Sequence, residues 1–497
     1  MTNNKFYRKE KNGWIYLYLK GNPYEIGYNN ACLTYKEYVN SIKMIQHILP
    51  HDYGLEYDFV CELIGNMYED TIKNNYNEYY QEILGITDGL NSKGVKSNIN
   101  NVIMWNCFYS IDSILSNLDM VFKGDSKLSI NLKNKFDTFL KKHNYFNNLK
   151  FVNKVSDKCT AFMAVGDYTK DGKIVCAHNT FDNFIQGQAC NIISYVKPVN
   201  GAGILMQTLP CTIASSTDFY VNSKGFICTE TTIGGFNKFI LGDPICCRIR
   251  KAVQYADSLD DYHDILKFNN GGDYANSWLI GDTNTNTIMR IELGLHYIKK
   301  EKLTNGYFIG YNAATDGRIR NLECKDSGYD DIRRHQGARR VRLTQLMNIH
   351  KGRLDINIAK KILADHYDVY LNKINPSSRT CCSHYELDKR EFMSSQGRPL
   401  PFQPRGAMDG IVCDTKHAKD MSFIARWGTS CGTPFISSEF LEKNSIWSSQ
   451  KEFLKDRVKQ PWTLFKSVFN TDETKRNKKT KKKKNSNDTR SKTKKNI

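Results

Sequence analysis

Trp14-Ile15-Tyr16-Leu17-Tyr18-Leu19 alternates in the manner of a short strand and ends at Gly21-Asn22-Pro23, which reads as a turn. Beyond it the apolar residues recur at helical spacing over Tyr35–Leu49, Leu55–Asn74 and Tyr76–Leu90, with Gly89 and Gly94 as the stop. Residues Lys123–Lys158 are rich in Lys and Asn, weakly patterned, and read as a surface linker. The texture changes at Cys159. Short apolar or alternating runs follow, separated by Gly, Asn and Asp: Gly203–Gln207, Gly225–Thr229, Trp278–Gly281, Ile288–Glu292 and Tyr307–Gly310. Helical stretches interrupt them at Ile245–Tyr255 and Asp260–Phe268, and a longer one covers Arg333–Tyr370. Strand runs with paired helices predict an α+β layer sandwich, with stacked sheets covered by helices. The chain therefore divides into a mostly helical segment, 1–158, a sheet-rich core, 159–470, and a tail, 471–497.

Charge matters chiefly for the tail. Of the formal net charge of +19, the segment Thr471–Ile497 holds 12 Lys/Arg against 3 Asp/Glu, a balance of +9. With almost no apolar residues it is expected to be disordered. It suits contact with nucleic acid or an anionic surface, or nuclear targeting. No run of about 18 apolar residues suggests a transmembrane helix. The opening residues Asn3, Asn4, Lys5, Arg8 and Lys9 interrupt any apolar core of a signal peptide, so the expected location is cytoplasmic, with reduced thiols. The 15 cysteines form no C-x-x-C pair and no spaced Cys/His set, so no zinc site is expected.

One cysteine stands apart. Cys159 opens the alternating run Cys159–Val165, and the next apolar run, Ile174–Ala177, leads into His178-Asn179-Thr180. A hairpin built this way sets a nucleophile beside a polar cluster. If the chain is cut before Cys159, the thiol gains its own α-amine, a base with a reference pKa of about 7.7–8.0. Other polar groups stand at expected strand ends: Glu230-Thr231-Thr232 after Gly225–Cys228, Asn276 before Trp278, and Asn312 after Phe308–Tyr311. Asn and Thr cannot act as bases near neutrality but can donate to an oxyanion. His178 titrates in the useful range and could orient or polarise the thiol. Such residues also serve as ordinary turn and capping groups. No G-x-S-x-G, Walker loop or H-E-x-x-H is present, which argues against the usual serine hydrolases, P-loop enzymes and zincins.

Taken together, Cys159-Thr160-Ala161-Phe162, Ala177–Phe181, Ser216–Tyr220, Glu230–Gly234 and Asn276-Ser277-Trp278 resemble the phospholipase B-like family. Gly21–Tyr28, Gly85–Gly89, Ser378-Arg379 and Pro404–Gly410 extend the resemblance along most of the chain. The family is a branch of the N-terminal-nucleophile (Ntn) hydrolases and is similar to autoproteolytic acyltransferases. The resemblance implies a four-layer αββα sandwich made as a precursor and cleaved between Lys158 and Cys159. It implies Cys159 as nucleophile, His178 and Asn179 as a polar pair lining the site, and Thr232 as an oxyanion-hole side chain. It also places Asn312 near the amine and the substrate carbonyl, and Asn276 in a supporting shell. The implied activity is hydrolysis of an amide or ester of a lipid-like acyl group, without metal or cofactor. The alternative is a catalytically silent member of the fold that binds partners through its basic tail.

Overall fold

The computed structural model describes residues 6–117, 159–389 and 402–468, together with 134, 137 and 138. The linker Lys123–Lys158 lies almost wholly outside them, and the tail 471–497 entirely so.

The chain opens on a hairpin of β1 (Phe6–Lys11) and β2 (Trp14–Gly21). Its two turn residues, Asn12 and Gly13, both have positive φ (52° and 80°), as the tight turn matching strand twist requires. The Gly21-Asn22-Pro23 segment then begins a helix: α1 runs over Pro23–Ile48, well before the Tyr35 start expected from apolar spacing. The Asn22 side chain accepts the backbone N–H of Glu25, Glu25 reciprocates on the N–H of Asn22, and proline is tolerated in the first turn. Helices α2 (Tyr57–Asn75), α3 (Asn77–Ser92), α4 (Ile99–Asn106) and α5 (Ile111–Leu115) follow. α1 and α3 touch backbone to backbone. A Cβ on Gly27 would lie 1.9 Å from the Glu82 carbonyl oxygen, and one on Gly85 2.2 Å from that of Tyr24. The glycines of two motifs noted above are thus a close-packing device.

The second part is built from β3 (Cys159–Gly166), β4 (Gly172–Asn183), α6 (Phe184–Gly187), β5 (Ile192–Pro198), β6 (Ile204–Thr208), β7 (Phe219–Asn222) and β8 (Phe226–Thr232). It continues with α7 (Ile245–Tyr255), α8 (Leu259–Lys267), β9 (Asn276–Asp282), β10 (Thr287–Leu293), β11 (Ile298–Leu303) and β12 (Gly306–Gly310). Next come α9 (His335–Ile349), α10 (Ile356–Leu363), β13 (Tyr367–Asp368) and β14 (Lys373–Ile374). The last elements are β15 (Arg405–Ala407), β16 (Asp409–Asp414), α11 (Thr415–Lys419), β17 (Ser422–Trp427), α12 (Ser437–Lys443) and β18 (Thr463–Lys466). The single helical region expected over Arg333–Tyr370 is two helices. Gly352, at φ 75°, turns the chain between them, and Asp355 caps α10.

Two sheets stack. One has the order β1-β2-β5-β6-β7-β8-β9-β10-β11, the other β12-β3-β4-β16-β17-β18 with β15 beside β4. Trp14 meets Trp427 edge-on at 5.2 Å and Phe219 meets Phe423 at 5.4 Å across the gap. Along β3 the period of two sorts the side chains: Ala161, Met163 and Val165 enter the core between the sheets, and Phe162 and Ala164 pack with Leu343, Leu346 and Ile362 of α9 and α10. Helices α1, α7 and α8 cover the other sheet. The architecture is the expected αββα sandwich. The first segment is not a separate body, because β2 pairs in parallel with β5 and one continuous core crosses the position of the expected cut. Among the described residues no helix is long and apolar enough to cross a membrane.

Candidate active site

Cys159 begins β3 and is 2 % exposed. β3 pairs with β4 in the register Cys159↔Thr180, Thr160↔Asn179, Ala161↔His178. Strand β4 runs on to Asn183, so His178 and Asn179 lie within it rather than at its end, where the apolar run alone had placed them. Strict alternation then separates the expected polar pair. His178 shares the inter-sheet face of Ala161. Asn179 shares the opposite face with Thr160. Its Nδ2 donates to the carbonyls of Leu363 (2.9 Å) and Cys381 (3.0 Å), and its Oδ1 accepts from the Ser430 hydroxyl. Asn179 therefore does not line the site with Cys159; it ties β4 to the loops behind the sheet.

His178 is fully buried, and burial pushes its pKa down to about 3, only partly offset by the Glu230 backbone. The imidazole is neutral at physiological pH and is not the near-neutral titrating group that its residue type suggests.

Asn312 is brought to Cys159. It sits just past β12 with φ 64°, a conformation Asn adopts more readily than most residues. Its Oδ1 accepts the backbone N–H of Cys159 at 3.4 Å, and its Nδ2 donates to the Thr232 carbonyl at 2.8 Å. Its own carbonyl accepts the N–H of Gly234 at 3.0 Å. Asn312 is thus the pin between the start of β3 and the end of β8.

β8 extends through Glu230-Thr231-Thr232, beyond the end expected at Cys228, because each of these residues pairs with β9. Thr232 Oγ1 lies 3.1 Å from the hydroxyl of Tyr274, which donates to Glu230 Oε1 at 3.3 Å. Burial, with Glu230, Asp218 and Cys159 nearby, holds the Tyr274 phenol well above its usual pKa, so it stays protonated. Asn276 opens β9 opposite Thr232 and is fully buried. Both polar atoms of its side chain lack a hydrogen-bond partner among the described residues.

Sequence patterning gave no sign of Arg339. It is fully buried, with Nη1 donating to the Cys159 carbonyl and to Thr160 Oγ1 (3.0 Å), and Nη2 to Asn312 Oδ1 (2.8 Å). Its guanidinium lies over the Phe181 ring at 5.2 Å. In Arg339-Arg340-Val341-Arg342 the run of charge reads as a solvated helix face. Only packing shows that Arg339 turns inward while Arg340 and Arg342 pair with Asp330 and Asp365. Asp409 was also missed as an individual residue. It accepts the Thr180 N–H (3.0 Å) and the Gln207 amide (2.6 Å), and burial pushes its pKa up to about 6.

The first segment closes this end of the sandwich. Tyr109 donates to Asp182 of β4 at 3.3 Å, and Ser110 to Asp273 at 3.1 Å. Asn106, Tyr109 and Ser110 share a cavity of about 30 Å³ with Ser215, Asp218 and Tyr274. That is room for little more than a water molecule.

The structure is an αββα sandwich in which a cysteine opens a strand inside one of the two sheets. The phospholipase B family profile matches residues 27–453, and the chain belongs to that family. Among curated relatives it is similar to a phospholipase B of Crotalus adamanteus, 28 % identical over 44 % of this chain and 41 % of that protein. It is also similar to phospholipase-B 81 of Drysdalia coronoides, 28 % identical over 35 % of each. The chain thus spans about two fifths of the length of these relatives. A solved structure of a variant of conjugated bile acid hydrolase from Clostridium perfringens aligns with 54 % of this chain and 89 % of its own, at 12 % identity and a TM-score of 0.29.

Proposed function

We propose that the chain is an N-terminal-cysteine acyl hydrolase or amidohydrolase acting on an amide or ester of a lipid-like acyl group. The observation that carries this reading is the convergence of Asn312 and Arg339 on the backbone of Cys159. One group meets the N–H and the other the carbonyl of the same residue, an investment that a merely structural thiol does not need. Family membership and the names of the snake phospholipases B support the substrate class.

The reaction begins with hydrolysis of the Lys158–Cys159 peptide bond, which converts the Cys159 N–H into an α-amine beside Asn312 Oδ1. The amine takes the thiol proton, and Sγ attacks the acyl carbonyl carbon. The oxyanion is held by Thr232, Asn312 or a backbone N–H. On collapse, the C–N or C–O bond breaks and the leaving group takes the proton from the ammonium. Water, deprotonated by the same amine, then cleaves the thioester, releasing the carboxylic acid and restoring the thiol. His178 contributes as a neutral neighbour on the inter-sheet face, and Asn276 as a buried amide beside Thr232 on the adjacent strand. The proposed setting is reducing and cytoplasmic, and the basic tail is proposed to contact an anionic surface or nucleic acid.

Intact mass and N-terminal sequencing of the purified chain, with release of free fatty acid from lysophospholipid and fatty-acyl amide, test the reading. The expected result is a fragment beginning at Cys159, labelled by iodoacetamide and inactive as Cys159→Ala. A single uncleaved, iodoacetamide-inert chain that still requires 471–497 for its measurable effect would overturn it in favour of a silent binding protein.

A further inference from the structure

Away from Cys159, four ligand-type side chains that are scattered in sequence meet in space. His366 follows α10, Cys382 and His384 lie on the loop before Tyr385, and Cys431 lies on the turn after β17. One ligand atom from each falls within 4.8 Å of all the others. Nε2 of His384 is 3.5 Å from both the Cys382 and Cys431 sulfurs, and the His366 and His384 rings are 5.0 Å apart. A tetrahedral S₂N₂ zinc centre, with Zn–S of about 2.3 Å and Zn–N of about 2.0–2.1 Å, sets its ligands about 3.3–3.8 Å apart. The surroundings match such a centre. His384 is fully buried and its Nδ1 lies 2.7 Å from Glu386 Oε1, the carboxylate–histidine pairing that fixes a metal-binding tautomer. The Cys431 sulfur accepts the Thr433 N–H at 3.4 Å, a contact that suits a thiolate.

We propose that His366, Cys382, His384 and Cys431 form a closed, structural zinc site. Binding Zn²⁺ forms two Zn–S and two Zn–N bonds and releases the two thiol protons to solvent. Four protein ligands leave no open position for substrate, so the role is structural. The site would clamp three loops behind the nucleophile strand pair. Cys382 follows Cys381, whose carbonyl holds Asn179, and Cys382 packs with Phe181, the ring beneath Arg339. No two of the four ligands stand at C-x-x-C or H-x-x-x-H spacing, which hid the site in the sequence. Its ligands are gathered by three separate loops.

The test uses the full chain, purified without affinity metal, with metal content measured by mass spectrometry and the apo-protein titrated with Co²⁺. About one zinc per chain is expected, with the visible d–d bands and sulfur-to-cobalt charge transfer of a tetrahedral dithiolate site. The double variant Cys382→Ser/Cys431→Ser should retain less than about one tenth of the metal, whereas Cys159→Ala retains all of it. X-ray absorption of the unmodified zinc protein should count two sulfurs and two nitrogens, a readout that stands even if the variant fails to fold. A metal-free chain without cobalt bands, metal content unchanged in the double variant, or a Cys382–Cys431 disulfide in a non-reducing peptide map would each overturn the proposal.

Discussion

Arg339 Nη2 lies 2.8 Å from Asn312 Oδ1, the same oxygen that accepts the backbone N–H of Cys159. One buried guanidinium therefore sets both the asparagine and, through its other amine, the Cys159 carbonyl. Lysine keeps the charge but cannot span these acceptors. Charge-assisted hydrogen bonds are worth about 1.5–3 kcal/mol each, so Arg339→Lys is expected to lower kcat by about 10–100-fold. An unchanged pH optimum with a reduced kcat would mark positioning. Undiminished turnover would remove Arg339 from the site.

Asn179 gives the opposite expectation. Among the described residues, its side-chain hydrogen bonds run to Leu363, Cys381 and Ser430 behind the sheet. Asn179→Ala should lose about 1–3 kcal/mol of stability, since it leaves buried partners unsatisfied. The kcat of the folded fraction should change by less than about twofold. Urea unfolding and active-site titration separate the two effects. A kcat collapse at intact stability would return Asn179 to the catalytic face.

Two buried groups set opposing pH slopes. His178 shifts from 6.5 down to about 3, so between those values the unfolded chain binds a proton that the folded one does not. Its contribution to stability is full above pH 6.5 and falls away as the pH drops toward 3. Asp409 shifts from 3.8 up to about 6, so its contribution is full below pH 3.8 and is lost as the pH rises through 6. The slopes cancel in part between pH 4 and 6. Asp409→Asn should therefore steepen the acid loss of stability and His178→Gln should flatten it, read as urea midpoint against pH. Curves parallel to that of the unmodified protein would contradict both assignments.

Cutting before Cys159 should not separate the two parts. Glu82 of α3 is paired with Arg250 of α7 at 3.1 Å, both fully buried, and Trp105 donates to the Pro210 carbonyl at 2.6 Å. The fragments should co-elute from a sizing column and part only in denaturant. Glu82→Ala, which strands Arg250, should cost about 3–5 kcal/mol. Fragments that elute apart in native buffer would contradict this.

Local patterning carried the strands β3 and β8–β10, the helix Ile245–Tyr255 and the candidacy of Cys159, because apolar period and turn chemistry act over a few residues. The residue motifs also carried the αββα class and the family. Other features were decided only by the tertiary structure. Pairing with Cys159 and its neighbours extended β4 past His178 and put His178 and Asn179 on opposite faces. A capping box turned the Asn22-Pro23 turn into a helix start. Stacking of the sheets and packing of α9 brought Asn312, 153 positions away, and Arg339, 180 away, onto Cys159. The same long-range packing gathered His366, Cys382, His384 and Cys431. Sequence periodicity says which side of an element is apolar. It does not say which distant element that side will meet, and catalytic and metal-binding geometry are made of those meetings.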